Sequence, residues 1–232
     1  MVVSWISAGV SSFISAYIKR DIIDEYIYIH IDDQHEDSLR FIKDCEKVLG
    51  KEIQVLQSTY KDVGSVVTQF RFINSAYGAK CTQILKKRVR KEWEYGKKNL
   101  TYIWGFDLNE RHRVERLNES MPEFENIYPL VDNQLTKQDA HAMLRRLKIK
   151  RPVMYDLGYQ NNNCIGCVKG GMGYWNKIRK DFPEVFKARA EQERLIGHSC
   201  LKECFLDELE PNRGNIDNEI SEECGIYCMM NL

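Results

Sequence analysis

Apolar and polar positions change period along this chain, and the changes mark its elements. Residues 2–6 form a short β-branched, apolar run with no room for a helix, which predicts a buried strand. Ser7-Ala8-Gly9-Val10-Ser11-Ser12 follows, and residues 13–20 then carry apolar side chains at helical spacing. Residues 26–31 alternate aromatic and β-branched side chains up to Asp32-Asp33, predicting a second strand. A helix over 36–49 should stop at Gly50. Further strands are expected at 52–56, 100–104 and 127–131, and a basic helix at 81–95. Thr136 should cap a helix running to about Leu147. After Pro152 the chain reads as irregular through Cys164 and Cys167, followed by helices at 174–180 and 183–196 and an acidic tail.

Strands alternating with helices imply α/β architecture with a mostly parallel, five-stranded sheet flanked by helices, plus a cysteine-rich C-terminal extension. Ligands of such sheets sit at the carboxyl ends of the strands. The Ser7 loop and Asp32-Asp33 fall there, and Cys81 can approach the same edge. The division expected is a nucleotide-binding core over 1–160 and a cysteine-containing helical extension over 161–232, packed on the same domain.

Composition narrows the function. The chain has 232 residues, 43% hydrophobic, with 34 basic and 34 acidic side chains. A formal net charge of zero argues against a polyanion as the obligatory partner. Between Lys80 and Lys98, however, eight basic residues face only Glu92 and Glu94, and from Cys200 onward eight acids face two bases. No run approaches the roughly 20 apolar residues of a spanning helix. The N-terminal apolar stretch leads into Lys19 and Arg20 and reads as strand and helix rather than a secretory signal. Eight cysteines without such a signal suggest metal ligands or reactive thiols in a cytoplasmic protein.

The loop at Ser7–Ser12 joins a strand to a helix. A glycine, small side chains and the N–H groups of a helix start suit a phosphate or sulfate. Here the chain resembles the phosphoadenosine-phosphosulfate reductase family of PP-loop enzymes, whose loop pattern is Ser-Gly-Gly-x-Asp-Ser. Ser7, Gly9 and Ser12 match, Ala8 replaces the first glycine, and Ser11 replaces the aspartate. Tyr28-Ile29-His30-Ile31-Asp32, Tyr102-Ile103-Trp104-Gly105-Phe106 with Glu110-Arg111, Tyr128-Pro129-Leu130, and Pro152 through Tyr159 are similar to further family segments in order and spacing. The resemblance implies an adenine nucleotide held by Ser7, Gly9, Ser11, Ser12, Asp32 and Arg111. The missing aspartate speaks for the branch that binds a nucleotide without cleaving ATP.

Cys164-Ile165-Gly166-Cys167 lies in an Asn- and Gly-rich stretch, where two thiolates can converge on one metal. The gap back to Cys81 resembles that of the cluster-bearing reductases, although Thr82 stands where those have a second cysteine. The resemblance implies a [4Fe–4S] centre on Cys81, Cys164 and Cys167, with Cys200, Cys204 or Cys228 available as a further ligand and Lys86 beside substrate and cluster. Structural zinc on Cys164, Cys167, Cys224 and Cys228 is the rival reading. Glu223-Cys224-Gly225-Ile226-Tyr227-Cys228 resembles the reductases' C-terminal Glu-Cys-Gly-Leu-His, which makes Cys224 the expected nucleophile and Lys86 its catalytic companion. Tyr227 in place of histidine, and the additional Cys228, favour a ligand role for the pair instead.

Three functions remain open at this point. One is a sulfonucleotide reductase served by a thioredoxin-like donor. Another is a sulfur-transfer or nucleobase-modifying enzyme, with nucleic acid as a less favoured partner. The third is a binding module without chemistry. A homodimer is left open. Cys45 reads as core, His30 as packed, and His35, His112, His141 and His198 as surface residues.

Overall fold

The computed structural model describes residues 1–75, 78–219 and 224. The chain alternates strand and helix: β1 (Val2–Ile6), α1 (Val10–Ile18), β2 (Glu25–His30), α2 (Asp37–Leu49), β3 (Ile53–Gln57) and α3 (Val63–Phe70). A small hairpin, β4 (Asn74–Ser75) with β5 (Gly78–Ala79), leads into a π-helical turn at Thr82–Lys87 that continues as α4 (Arg88–Glu94). Then come β6 (Thr101–Ile103), α5 (His112–Ser120), β7 (Glu125–Ile127), α6 (Pro129–Asp132), α7 (Lys137–Arg146), α8 (Val153–Asp156), α9 (Met172–Asp181) and α10 (Pro183–Ile196).

The main sheet has the order β3-β2-β1-β6-β7, and every pairing in it is parallel. Strand alternation divides the interior. Ile6, Tyr26, Tyr28 and Ile103 face one layer with Phe13, Phe41 and Leu144. Val3, Trp5, Ile27, Ile29, Tyr102 and Trp104 face the other, with Val89 and Leu117. Each buried side chain of this size contributes about 1.5–3 kcal/mol. A third cluster sits beyond the carboxyl edge. Ile31, Val63 and Leu85 pack there with Cys164, Trp175, Phe186 and Leu206.

Because β2 and β3 lie on one side of β1 while β6 and β7 lie on the other, the direction in which strands are added reverses at β1. The crevice at the carboxyl ends of β1 and β6 is where such sheets bind ligands.

Several elements differ from their sequence reading. The expected strand at 127–131 ends at Ile127, because Pro129 at the first helical position has no N–H to pair and a preset φ. α3 was not foreseen in Val-Gly-Ser-Val-Val-Thr-Gln-Phe. It forms because Asp62 caps it, accepting from Ser65 N at 2.6 Å, and Val63, Val66 and Val67 are buried. The basic helix begins as a π turn rather than an α turn.

Candidate nucleotide loop and thiol cavity

The loop after β1 is shaped by its own serines. Ser12 Oγ accepts from Ser7 N at 3.1 Å, lies 2.9 Å from Ser7 Oγ and donates to Gly9 O at 2.9 Å. Gly9 N donates to Ser7 Oγ at 3.2 Å. Ser7, Gly9 and Ser12 therefore meet as one knot at the start of α1. Ser11 differs, for its hydroxyl is buried and has no hydrogen-bond partner among the described residues. An unmatched buried hydroxyl is costly unless a ligand satisfies it.

Ala8 is fully buried with φ 62°. That conformation favours glycine, so an alanine here costs roughly 1–2 kcal/mol. Across the crevice, Gly105 follows β6. A Cβ on it would stand 2.5 Å from Ser12 Cα, so only glycine lets the strand approach the loop this closely.

Asp32 and Asp33 end β2 in different ways. Asp32 is exposed, and its carboxylate accepts from Gln57 at 2.6 Å with His30 at 3.5 Å. Asp33 turns inward, accepting from Val63 N at 2.6 Å, while its carbonyl accepts from Ile165 N at 2.8 Å. Burial raises the Asp33 pKa against the Val63 N–H bond and the Arg189 charge. Arg111 is exposed at the start of α5, and the ion pair of that segment is Glu110 with buried Arg113.

The cysteines gather beside this edge. Cys81, Cys164, Cys167 and Cys224 line one cavity with Thr82, Lys86 and Lys169. The π turn offers Thr82, Leu85 and Lys86 to the cavity. Lys87, Arg88 and Lys91 face an outer groove with Tyr95 instead. Tyr174 from α9 fixes the C-x-x-C loop, its hydroxyl accepting from Cys167 N at 2.8 Å and donating to Cys164 O at 3.1 Å. Gly166 sits between those cysteines at φ 71°, a turn open to glycine, and a Cβ there would meet Val185 at 2.7 Å.

Adjacent asparagines tie loop and cavity together. Asn162 Nδ2 donates to Ala8 O at 2.9 Å and to Ser38 Oγ at 3.0 Å. Asn163 Oδ1 accepts from Cys224 N at 3.0 Å. Cys224 further meets Thr82 Oγ1 at 3.9 Å through sulfur, and Lys86 Nζ donates to its carbonyl. Glu219 is anchored at the start of α9, its carboxylate accepting from Gly173 N at 2.5 Å and Tyr174 N at 3.1 Å.

The four thiols are not equivalent. Burial pushes Cys81 up to about 12 and Cys167 up to about 11, in each case reinforced by Cys224. Burial also raises Cys164 strongly, with Asp33 adding to it. Burial acts on Cys224 in the same sense, but Lys86, Lys169 and the Thr82 hydrogen bond outweigh it and bring its pKa down to about 7. One thiolate beside three protonated thiols is the arrangement of a nucleophile.

As ligands, the four thiols have the chemistry of a zinc or iron–sulfur site. Among the described residues no group of three or more His, Cys, Asp or Glu side chains is arranged to hold a metal ion. The cavity, about 20 Å³, has the size of one water or single ion rather than a four-iron cluster. As arranged, the residues do not fit the cluster, and no step below passes through it. Cys228 lies outside the described residues. Cys200 is buried, its N–H bonded to Glu193 at 2.5 Å, and neither it nor Cys204 lines the cavity. Cys45 is core.

Sequence reading missed Asn162, Asn163, Tyr174 and Lys169. None belongs to a spaced motif of chemical residues, and Asn162, Asn163 and Lys169 act through partners remote in sequence. His141, expected at the surface, is half-buried.

Fold and site together define a parallel α/β protein whose central-strand loop and cysteine cavity share one sheet edge. Neither the models of known families nor the curated proteins compared with the chain match it. Among the described residues no helix is long and apolar enough to cross a membrane.

Proposed function

We propose that the protein is a sulfonucleotide reductase-like enzyme: it binds an adenine nucleotide bearing an activated sulfate at the loop after β1 and attacks the sulfate with Cys224. The observation that carries this reading is the asparagine link, in which neighbouring residues hold the loop carbonyl of Ala8 and the backbone of Cys224. An anion-suited loop and a thiol of depressed pKa are thereby fixed to one segment.

In the proposed reaction the Cys224 thiolate attacks the sulfate sulfur. An S–S bond forms, the bond from sulfur to the bridging phosphate oxygen breaks, and the nucleoside phosphate leaves with the electron pair. Cys224 is left as a thiosulfonate. A thiol of a thioredoxin-like dithiol donor then attacks the Cys224 sulfur. Sulfite departs with the electron pair and leaves a Cys224–donor mixed disulfide, which the donor's second thiol breaks, freeing the Cys224 thiol and leaving the donor as a disulfide. Lys86 and Lys169 would neutralise charge near the transferring group. Ser11, with its unmatched hydroxyl, would complete the nucleotide's anion contacts.

The test is calorimetry with AMP, adenylyl sulfate and its 3′-phosphorylated form, followed by a sulfite assay with reduced thioredoxin. Binding and sulfite release support the reading, and a protein that binds none of the three removes it. A thiolate-ligated metal at Cys81, Cys164 and Cys167 is a separate proposal, which would require the cavity to widen. Iron and zinc analysis of anaerobically purified protein tests it: about one zinc ion or a visible-absorbing iron centre per chain supports it, and metal-free protein rejects it.

A further inference from the structure

The basic segment after the β4–β5 hairpin has an outer side that the reaction above leaves unused. Gln83, Lys87, Lys91 and Tyr95 recur every four residues, so the π turn and α4 bring them into one stripe, with Arg88 and Glu92 beside it. These six residues line a groove of about 760 Å³. Thr82 and Lys86, between them in sequence, line the thiol cavity, so the same turn serves both groove and cavity.

Charge is segregated toward the groove. Glu92 is its one carboxylate, and that group pairs with Arg88 at 2.7 Å. The other acid of α4, Glu94, is turned inward, 3.4 Å from buried Arg90 and accepting from the Tyr102 hydroxyl. Lys87 and Lys91 stand four residues apart, a spacing at which like charges repel. Lys80 reaches the groove's edge, donating to Gln83 Oε1 at 3.3 Å. Lys97 and Lys98, both exposed, continue the basic run past Tyr95. This gathering of cations stands out in a chain whose net charge is zero.

An aromatic ring closes the groove. Tyr95 follows the last residue of α4 and is 91% exposed. Trp93, two residues earlier, packs edge-on against Trp5 at 5.3 Å and lies under the Lys97 ammonium at 4.1 Å. Tyr95 is left in water amid cations, with its ring available to a ligand.

We infer that this groove binds single-stranded nucleic acid, its cations meeting successive phosphates while the Tyr95 ring stacks on a base. Cations that track a backbone, combined with an exposed aromatic platform, are what sequence-tolerant binding of single strands requires. A duplex hides its base faces in the stack, and an acidic protein would engage the cations but has no need of the ring. With no net charge on the whole chain, attraction rests on this local patch and is sensitive to salt. The inference stands apart from the nucleotide reading given above.

Fluorescence anisotropy of the full chain with labelled oligo-dT and oligo-rU of about 12 nucleotides tests the inference. Binding of either supports it, and the tighter of the two names the kind of strand. Log affinity should fall with log salt at a slope of about −2, because three lining cations contribute about −0.7 each. Lys87→Gln with Lys91→Gln should leave about a third of that slope. Tyr95→Ala should weaken binding about tenfold, and Tyr95→Phe should restore it. The pH profile of Cys224 alkylation, unchanged in these variants, shows that each remains folded. No binding of either oligonucleotide, or full affinity in Tyr95→Ala, overturns the inference. So does competition by polyglutamate as strong as that by unlabelled oligonucleotide, which would make the groove a surface for acidic proteins. Loss of adenine nucleotide binding would not bear on it, since the varied residues line neither the loop nor the thiol cavity.

Discussion

The serine loop and the cysteine cavity lie on one edge of one sheet, yet they are built on different principles. The loop is local. The hydrogen bonds among its own residues join positions no more than five apart, and one strand-to-helix turn supplies nearly all of it, with Asn162 and Tyr155 bonding its backbone from outside. The cavity is assembled from the π turn, the C-x-x-C loop, the end of β2 and Cys224. In the loop, polar atoms satisfy one another and one hydroxyl is left over. In the cavity, burial keeps three thiols protonated while two lysines single out the fourth. Local geometry can prepare a place for an anion, whereas selecting one reactive thiol among four takes charges brought from distant segments.

Substitutions that strike one region and spare the other sharpen this contrast. The largest effect is expected from Gly105→Val, since a Cβ there would strike the α1 backbone at Ser12. Overpacking of this kind costs about 1–3 kcal/mol. Nucleotide binding should be lost in calorimetry while alkylation of Cys224 keeps its pH profile. Asn162→Ala should instead disturb both regions, because it removes the bonds to Ala8 and Ser38. A loss of about 1–3 kcal/mol is expected in denaturant unfolding.

Lys86→Met should act on the cavity alone. Removing the principal charge that lowers Cys224 moves its pKa upward from about 7. In the native protein, alkylation should level off above that pH and fall tenfold per unit below it. In the variant the inflection should move to higher pH, with roughly tenfold slower reaction at pH 7 and recovery in alkali. The smallest effect belongs to Ala8→Gly. Relief of the left-handed backbone at φ 62° should outweigh the added chain entropy, giving a gain of about 0.5–1 kcal/mol in thermal unfolding with alkylation unchanged.

The same contrast explains what the sequence disclosed. β1 and α10 coincide with their hydrophobic patterns, and the Thr136 cap and the Gly50 stop sit where local chemistry requires them. The loop serines were legible because strand, turn and helix follow one another within a dozen residues. α5 was hidden, since only Arg113 and Leu117 of its nine residues are buried and the rest carries no apolar stripe. The π turn was hidden because its sequence suits an α-helix equally well. At the site, Asn162 and Asn163 looked like loop filler. Their roles appear only once Ala8 and Cys224, far away in sequence, are folded against them.

The central claim is that Cys224, alone among the cavity thiols, attacks a ligand held by the loop. The direct measurement is intact-protein and peptide mass spectrometry after reduced protein meets adenylyl sulfate, or its 3′-phosphorylated form, without a thiol donor. The account predicts one sulfonate adduct per chain, on Cys224, absent from Cys224→Ser although that variant binds the nucleotide as tightly. An adduct on Cys81, Cys164 or Cys167, or bound nucleotide with no adduct at all, would contradict it.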